Sequence, residues 1–535
     1  MNISTRHASA RWAAALGAAA LGAGLLAGCS AGNGGGGGGG GTTKDELYIA
    51  VQDDPVCLDP QQVTLTTALN IGRQLVDSLV DQNPETGEIV PWLAKSFEAN
   101  DNLTEFTFTL RDDVTFSDDS KLTPETVKAN FDALAALGST AALASQYLAG
   151  YQGTTVVDGS TVKVAFAEPN AQFLQGASTI TLGLLSDKSA AMTAEERCQH
   201  PVGSGAFVLD SYTSNDSVVV TARKGYDWGS ALRTRKGDAG VKKITFAVTP
   251  EPGVRTGGLQ TGEFDMILDL PAADEKRFGT DQYEIYARAN PGVPHSLVPN
   301  TDRPIVSDPA VREAMILATN RAEIKDLTGS SKVPAVTGVL SSATPSFLAQ
   351  KDALAYDLKG AQKLLDDAGW KAGAGGIREK DGTKLSVSVT AFYGQDVLEA
   401  TQAQLAKAGI DLKINMVTAG DFFGAVASKD FDFLGAGLTR TDPDVLRVMF
   451  SSASKARWAV VTDPELDEQL ATQAETADPK ARTAILEDVQ KRIVEKAYLV
   501  PLLEVAQVHA SQKGVSGVEF DSSSRIILHD VTVKG

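Results

Sequence analysis

EFTFTLRDDVTFSDDSKLTPETVKANFDALAAL, residues 105–137, contains a strand, a turn and a helix in close succession. Phenylalanine and leucine alternate with threonine over 105–110, which is the period-two pattern of a half-buried strand. Acidic residues and serines then mark a turn. Thr123-Pro124 opens a helix, because proline costs no hydrogen bond at the first helical position, and Val127 and Phe131 follow one turn apart on one face. This stretch predicts mixed α/β structure.

The same succession recurs along the chain. Cap-proline pairs at Asp308-Pro309, Asp463-Pro464 and Asp478-Pro479 predict three more helices. The predicted strands share a β-branched or alternating pattern; they are 47–51, 162–166, 218–221, 243–248, 385–391 and 411–417. Because strands and helices interleave and 535 residues exceed what one hydrophobic core holds, we expect an α/β protein with two or more lobes.

The first 28 residues have the pattern of a secretory signal. Arg6 and Arg11 precede an apolar run from Trp12 to Ala27, which is shorter than the roughly 20 residues of a membrane-spanning helix. Leu26-Ala27-Gly28-Cys29 resembles a bacterial lipobox, which implies a diacylated Cys29 as the first mature residue. The alternative is an ordinary signal peptide followed by a coincidental cysteine.

Glycine dominates the segment that follows Cys29. Residues 32–41 hold nine glycines and one asparagine, and such a segment cannot bury apolar surface. We therefore expect a lipoprotein signal peptide over 1–28 and a flexible tether over 29–43. The folded body would then stand at the outer face of the cell membrane, attached through lipid only.

The charge of the chain argues against nucleic acid as a partner. The formal net charge is -18, and loss of two arginines with the leader brings the mature chain near -20. A strongly acidic surface repels nucleic acid and anionic lipid alike.

Two cysteines remain when Cys29 is set aside as the lipid site. Cys57 and Cys198 form an even pair in an oxidising compartment, where disulfides persist. We predict that they are bonded. Two separate buried thiols are the alternative, because a separation of 141 residues in sequence does not fix a distance in space.

Motifs of catalysis are missing from the sequence. It has no His-Glu-x-x-His, Gly-x-Ser-x-Gly or Walker loop, and its histidines stand singly without zinc-ligand spacing. Gly203-Ser204-Gly205 reads as a tight turn before a strand rather than a nucleophile elbow. We predict no catalytic residues, no metal site and no cofactor.

An ordered set of local patterns resembles one family over almost the whole mature chain. The patterns are Leu58-Asp59-Pro60, Pro91 to Phe97, Leu110 to Ser117, Pro201 to Phe207, Gly262 to Asp265, Val311 to Ala314, Ala368-Gly369-Trp370, Asp442-Pro443-Asp444 and Val500-Pro501-Leu502. They are similar to blocks of the extracytoplasmic solute-binding proteins of peptide, opine and nickel ABC importers, called family 5. The match departs at Arg223-Lys224 and at Asp118-Asp119.

The resemblance implies a two-lobed fold of the periplasmic-binding-protein type (type II, extended), with a hinge and an extra subdomain in the first lobe. The implied boundaries are 44–70, 197–296 and 501–535 for the core of the first lobe, 71–196 for its inserted subdomain, and 297–500 for the second lobe. It also implies a monomer that binds a small molecule or peptide between its lobes and delivers it to an ABC permease.

The resemblance also implies where the ligand lies. The expected ligand wall consists of Asp53, Asp54, Leu58, Tyr393, Gln395, Arg440, Thr441, Asp442, Asp444 and Trp458. Arg440 stands near the position where related peptide binders carry an acidic residue. A guanidinium fits a carboxylate, so a carboxylate-bearing solute is as plausible as a zwitterionic peptide. The alternative is that Arg440 pairs with Asp442 or Asp444 as structural support.

The sequence thus predicts a membrane-anchored substrate-binding protein rather than an enzyme. A solute sensor or cell-surface interaction protein on the same fold, and more distantly a secreted hydrolase, are the alternatives. A dipeptide, an oligopeptide, an opine, another carboxylate and a metal chelate all remain open as the ligand.

Overall fold

A computed structural model of the protein describes residues 43–454 and 457–534. Each large sheet has its own hydrophobic core, so the fold has two lobes. The predicted signal peptide, Cys29 and all but the end of the tether lie outside the described residues. Among the described residues, no helix is both long and apolar enough to cross a membrane.

The first lobe is built on a mixed sheet. Its central strand, Glu46–Val51, runs parallel to Met266–Ile267 and Lys243–Val248 on its two sides. From one edge to the other, the sheet consists of Tyr283–Ala289, Ala506–Gln512, Met266–Ile267, Glu46–Val51, Lys243–Val248, Ser217–Ala222 and Phe207–Thr213. Segments from the start, the middle and the end of the chain therefore share one sheet.

An antiparallel sheet of four strands packs beside it. Phe106, Phe108 and Leu110 point to the buried face of this sheet, as their alternation predicted. The strands, in order, are Ala94–Ala99, Glu105–Leu110, Thr161–Phe166 and Tyr151–Val156. Their buried side chains belong to the same core as the main sheet of the first lobe, so this part of the chain is an extension of that lobe.

The helices of the first lobe follow the predicted caps. Thr123 accepts a hydrogen bond from the backbone of Thr126, and Pro124 occupies the first helical turn. The helices are Thr66–Leu75, Pro124–Leu137, Ala144–Tyr147, Phe173–Gly176, Asp187–Ala190, Ala194–Gln199, Pro252–Thr261 and Glu275–Phe278, with 3-10 turns at Gly138–Ala141, Ile180–Leu182 and Ala272–Asp274.

The Gly203-Ser204-Gly205 turn is structural. A Cβ at Gly203 would lie 2.0 Å from the carbonyl oxygen of Leu75, so the close approach of the two segments requires glycine. The Ser204 hydroxyl donates to Asp77 at 3.1 Å and is fully buried. The segment therefore has a structural role before a strand, as the sequence indicated, and it also packs against the end of the helix Thr66–Leu75.

The second lobe is a five-stranded sheet covered by helices. In order, its strands are Asp411–Met416, Ser386–Ala391, Phe433–Thr439, Gly292–Pro299 and Val500–Leu503, and the first three are mutually parallel. Its helices are Pro309–Ala318, Arg321–Thr328, Leu358–Asp367, Gln395–Lys407, Ala419–Ser428, Val445–Phe450, Pro464–Glu475 and Pro479–Glu495, with a 3-10 turn at Ala374–Gly376.

Short pairings complete the fold. They are Thr43–Lys44 with Thr532–Lys534 and Val515–Ser516; Lys371–Ala372 with Arg378–Lys380 and Thr383–Lys384; Glu519–Phe520 with Ile526–Ile527; and Val80–Gln82 with Ile89–Pro91.

The chain crosses between the two large sheets at two adjacent places. Asn290 and Val505 mark the crossings, and the Asn290 backbone N–H donates to the Val505 carbonyl at 2.8 Å. Gly292–Pro299 and Val500–Leu503 pair in the sheet of the second lobe. The predicted boundaries place residues 292–296 and 501–503 in the first lobe. They lie beyond the crossings, because their strand register joins them to the second sheet.

Candidate functional site

A cavity of about 40 Å³ lies between the lobes. Side chains of Leu69, Tyr147, Thr181 and Arg525 line it from the first lobe, and residues 439–441 line it from the second. Sites for small organic molecules have volumes of roughly 300 Å³ or more. The lobes must therefore part before this cavity admits anything larger than a small polar group.

The order of the strands in the second lobe explains the position of the cavity. Phe433–Thr439 runs parallel to Ser386–Ala391, and its carboxyl end leads directly into Arg440. In α/β sheets, ligands bind outside the carboxyl ends of parallel strands. Arg440 thus stands where the topology of the second lobe favours a ligand.

Arg440 is buried at the boundary of the lobes. Its Nη2 donates to the side chain of Gln146, and its guanidinium carbon lies 4.8 Å from the ring centroid of Tyr147. Its Nε is buried and has no hydrogen-bond partner among the described residues. Both contacts come from the first lobe, so Arg440 joins the two lobes and keeps donor capacity free.

Thr441 lies beside Arg440 and also faces the first lobe. Its backbone carbonyl accepts a hydrogen bond from Gln175 Nε2 at 3.1 Å. Its hydroxyl is buried and finds no partner within the described part of the chain. Since an unpaired buried hydroxyl is costly, this atom is available to a bound solute.

Arg525 brings a second guanidinium to the cavity. It is 7% exposed and follows the turn 521–524, and its one side-chain hydrogen bond to a described residue is a long one to Thr66 Oγ1 at 3.5 Å. Burial lowers the pKa of Arg525, and the negative charges of Asp521 and Asp269 oppose that shift. Neither carboxylate forms an ion pair with Arg525.

Asp442 and Asp444 do not pair with Arg440. Arg482 donates to both oxygens of Asp442, at 3.0 and 2.5 Å, and Arg447 donates to both oxygens of Asp444, at 2.8 and 2.6 Å. Both carboxylates are almost fully buried in these bidentate pairs. The pairing of Arg440 with an aspartate, the structural alternative, is therefore wrong, because other arginines occupy both carboxylates.

The residues of the first lobe that were expected in the ligand wall do not line the cavity. Asp53 is exposed, and Leu58 is completely buried under the surface. Asp54 accepts hydrogen bonds from the Val56 backbone at 2.6 Å and the Ser214 hydroxyl at 3.1 Å, so it braces two loops.

Three predicted residues of the second lobe also lie elsewhere. The Tyr393 hydroxyl accepts a hydrogen bond from the Gly437 backbone at 2.8 Å, and Gln395 is exposed and donates to Glu399. Trp458 packs edge-on against Phe422, with ring centroids 5.5 Å apart. Of the expected ligand wall, the structure brings Arg440 and Thr441 to the cavity.

A disulfide joins Cys57 and Cys198. The backbone N–H of Leu58 donates to the carbonyl oxygen of Cys198 at 2.8 Å, so the two segments are also paired through their backbones. The disulfide connects the loop after the strand Glu46–Val51 to the end of the helix Ala194–Gln199.

The first-lobe residues of the cavity could not be predicted from the sequence. Tyr147, Thr181 and Arg525 come from three segments that are far apart in sequence and carry no motif. Within residues 43–454 and 457–534, no group of three or more histidine, cysteine, aspartate or glutamate side chains could hold a metal ion.

Two α/β lobes with a small cavity between them define a class of proteins that hold a small solute between their lobes. The chain belongs to the family described as bacterial extracellular solute-binding proteins, family 5, whose model matches residues 88–459. This match confirms the resemblance seen in the sequence and makes the chain a solute-binding protein.

Known relatives agree with this assignment. A protein of Salmonella typhi named glutathione-binding protein GsiB is 24% identical over 493 residues, which cover 88% of this chain and 91% of the relative. NikA from Brucella suis in complex with Fe(III)-EDTA matches the fold with a TM-score of 0.79 at 24% identity, covering 91% of this chain and 100% of that one. DppA from Helicobacter pylori in complex with the peptide STSA gives a TM-score of 0.73 at 20% identity, covering 92% and 99%.

Proposed function

We propose that this protein is the lipid-anchored receptor of an ABC importer, and that it captures a carboxylate-bearing peptide or peptide-like solute outside the cell membrane. The observation that carries the proposal is the position of Arg440. This residue lies at the carboxyl end of a parallel strand and is buried between the lobes, and its Nε has no hydrogen-bond partner among the described residues. A planar guanidinium with unused donors suits a carboxylate.

The charges around the cavity support an anionic group on the solute. Both charged side chains that line it are arginines, and no described aspartate or glutamate lines it. The acidic pair at 442 and 444, which would suit a ligand ammonium, is occupied by Arg482 and Arg447. A solute that offers a carboxylate to this cavity is therefore favoured over one that offers a cation.

The relatives supply test ligands. One is named for glutathione, and two of the similar structures are named as complexes with Fe(III)-EDTA and with the peptide STSA. Binding between lobes and hinge closure would present a closed receptor to the permease. Since the closed cavity is small, we expect the open form to receive the solute.

Native mass spectrometry of the purified full chain tests the proposal. A co-purified solute that carries a carboxylate, or a thermal shift with glutathione or short peptides, supports it. A protein that binds neither peptides nor other carboxylates, or that turns over a peptide or ester substrate, contradicts it. Cells without this protein that still take up the bound solute at the normal rate would contradict the importer role.

A further inference from the structure

A segment of the second lobe, residues 329–345, contacts the first lobe outside the cavity, and we call it the strap. It follows the helix Arg321–Thr328, which packs in the core of the second lobe. Ser331 of the strap donates its backbone N–H at 2.8 Å and its hydroxyl at 2.6 Å to Oε2 of Glu275. Glu275 begins the helix Glu275–Phe278 of the first lobe. This contact between Glu275 and Ser331, the latch, links the lobes in addition to the two crossings of the chain.

The far end of the strap is held within the second lobe. The backbone N–H of Ser341 donates to the carbonyl oxygen of Gly292 at 2.7 Å, and the Ser342 hydroxyl donates to the buried carboxylate of Glu504 at 2.7 Å. Gly292 and Glu504 lie next to the crossings, on the side of the second lobe. The strap therefore has one end fixed beside the crossings and the other end fixed to the first lobe.

A second cavity between the lobes, of about 390 Å³, separates the middle of the strap from the first lobe. Residues 84–87 and 287–289 line it from the first lobe, and residues 332–334 and 342–345 line it from the strap. Among the described residues, the latch provides the hydrogen bonds of the strap to the first lobe, and no others join them. The polar contact of the strap with the first lobe is thus concentrated in two side chains.

Glu275 depends on Ser331 for its hydrogen bonds. Its carboxylate is buried, and Oε1 has no hydrogen-bond partner among the described residues. Both hydrogen bonds that the carboxylate accepts in the described part of the chain come from Ser331. Bonds to an ionised acceptor are stronger than neutral ones, and a buried carboxylate without donors is costly. The latch therefore favours the arrangement of the lobes in which it forms.

The latch and the cavity at Arg440 lie on opposite sides of the sheet of the first lobe. Ile49 and Val51 point to the core that contains Tyr147, which lines that cavity. Ala50, between them in the strand, points to the other core, which contains Phe278 from the helix of Glu275. Glu275 and Ser331 therefore influence the cavity through the angle between the lobes and not through contact with a solute.

We propose that the latch holds the lobes, in the absence of solute, at the angle that keeps Arg440 against Gln146 and Tyr147, and that any change of this angle requires its release. A contact that is present in one arrangement and absent from another stabilises the first by the free energy of the contact. Glu275 and Ser331 are thus positioning residues for the whole second lobe. The latch does not depend on the proposed function, but the consequence that solute entry requires its release rests on that function.

Hydrogen exchange of the ligand-free full chain in detergent micelles tests the latch. We expect Ser331→Ala to speed exchange about three- to tenfold in peptides that contain Tyr147 and residues 439–441, because the lobes separate more often. Ser331 is exposed, so this variant keeps the fold. Glu275→Leu should have a similar effect, and the double variant should exchange no faster than either single one, since both changes remove the same contact.

Ser342→Ala is the matched control. It removes a similar hydroxyl bond to a buried glutamate, but Ser342 and Glu504 both lie on the side of the second lobe, so exchange at the cavity should equal that of the wild type. Unchanged exchange in Ser331→Ala, additive effects in the double variant, or an equal rise in Ser342→Ala would overturn the inference. No solute is present in this measurement, so its outcome is separate from that of the proposed function, which fails if the chain binds neither peptides nor other carboxylates.

Discussion

Gln175 of the first lobe donates its Nε2–H to the backbone carbonyl of Thr441 in the second lobe, at 3.1 Å. The bond is buried and lies beside the contact of Arg440 with Tyr147. The contact between the lobes is thus supported by a neutral side chain. Receptors of this kind bind tightly only when the closed form is accessible, so such a bond contributes to affinity indirectly.

Replacement of Gln175 should weaken solute binding through closure. We expect Gln175→Leu to reduce affinity about three- to tenfold, the effect of one neutral hydrogen bond, while the unfolding midpoint changes little. Isothermal titration and thermal unfolding measure the two quantities. Gln402→Leu is the matched control, because Gln402 makes a similar bond to Leu412 inside the second lobe. Equal affinity losses in both variants would contradict the role of Gln175.

The Asp442–Arg482 pair should stabilise the second lobe. Arg482→Met leaves the buried Asp442 carboxylate without its bidentate partner, and the free energy of unfolding should fall by about 3–5 kcal/mol. The double variant Asp442→Asn with Arg482→Met should recover much of this loss. Urea denaturation measures both. If a variant of Asp442 binds the solute more weakly but is as stable as the wild type, Asp442 contacts the ligand and its role is not structural.

Reduction of the disulfide should destabilise the first lobe. Cross-linking Cys57 to Cys198 closes a loop of 141 residues, and loss of a native disulfide typically costs about 2–5 kcal/mol. Thermal unfolding with and without reductant should show a lower midpoint on reduction, and Cys57→Ala with Cys198→Ala should match the reduced protein. Two free thiols in the intact mass of the native protein would rule out the bond.

Two buried histidines should make the fold sensitive to acid. Burial lowers the pKa of His295 to about 4 and that of His509 to about 3, whereas an unfolded histidine titrates near 6.5. The two neutral histidines contribute fully to the free energy of unfolding above pH 6.5. This contribution is lost as the pH falls toward 4, because only the unfolded chain then gains the proton.

When the pH falls from 7 to 4.5, the free energy of unfolding of the wild type should therefore decrease by roughly 2 kcal/mol more than that of His295→Gln. Urea denaturation at the two pH values measures the difference. His200→Gln changes an exposed histidine and serves as the control. Identical pH dependence in wild type and His295→Gln would show that this histidine is not held neutral by the fold.

Cys29 should carry the membrane attachment. We predict that Cys29→Ser releases the protein from the membrane fraction into the medium or periplasm, since a diacylated cysteine supplies the anchor. Fractionation and the mass of the mature N-terminal peptide measure this outcome. An unmodified Cys29 in a mature chain cleaved elsewhere would favour the ordinary signal peptide.

The elements could be predicted from the sequence because their signals are local. The alternation at 105–110 and the cap-proline pair at Thr123-Pro124 each report on neighbours a few residues away, and the structure has a strand and a helix there. The crossings at Asn290 and Val505 lie several residues from the predicted lobe boundaries, because hydrophobic patterns do not tell which sheet a strand joins.

The site was only partly predictable for a related reason. Arg440 and Thr441 follow a strand end and could be inferred, but the roles of Asp442 and Asp444 depend on Arg482 and Arg447. Arg525 reaches the cavity from a turn near the end of the chain. Such long-range placement depends on the tertiary fold and leaves no spacing that a sequence pattern could detect.

Isothermal titration of the co-purified solute, or of glutathione if it binds, against the wild type and Arg440→Ala tests the central claim most directly. If Arg440 receives a carboxylate, the binding free energy should fall by about 1.5–3 kcal/mol, while Arg111→Ala, which removes an arginine paired on the surface, should bind like the wild type. Unchanged affinity in Arg440→Ala would contradict the proposal that the cavity between the lobes binds the solute through this guanidinium.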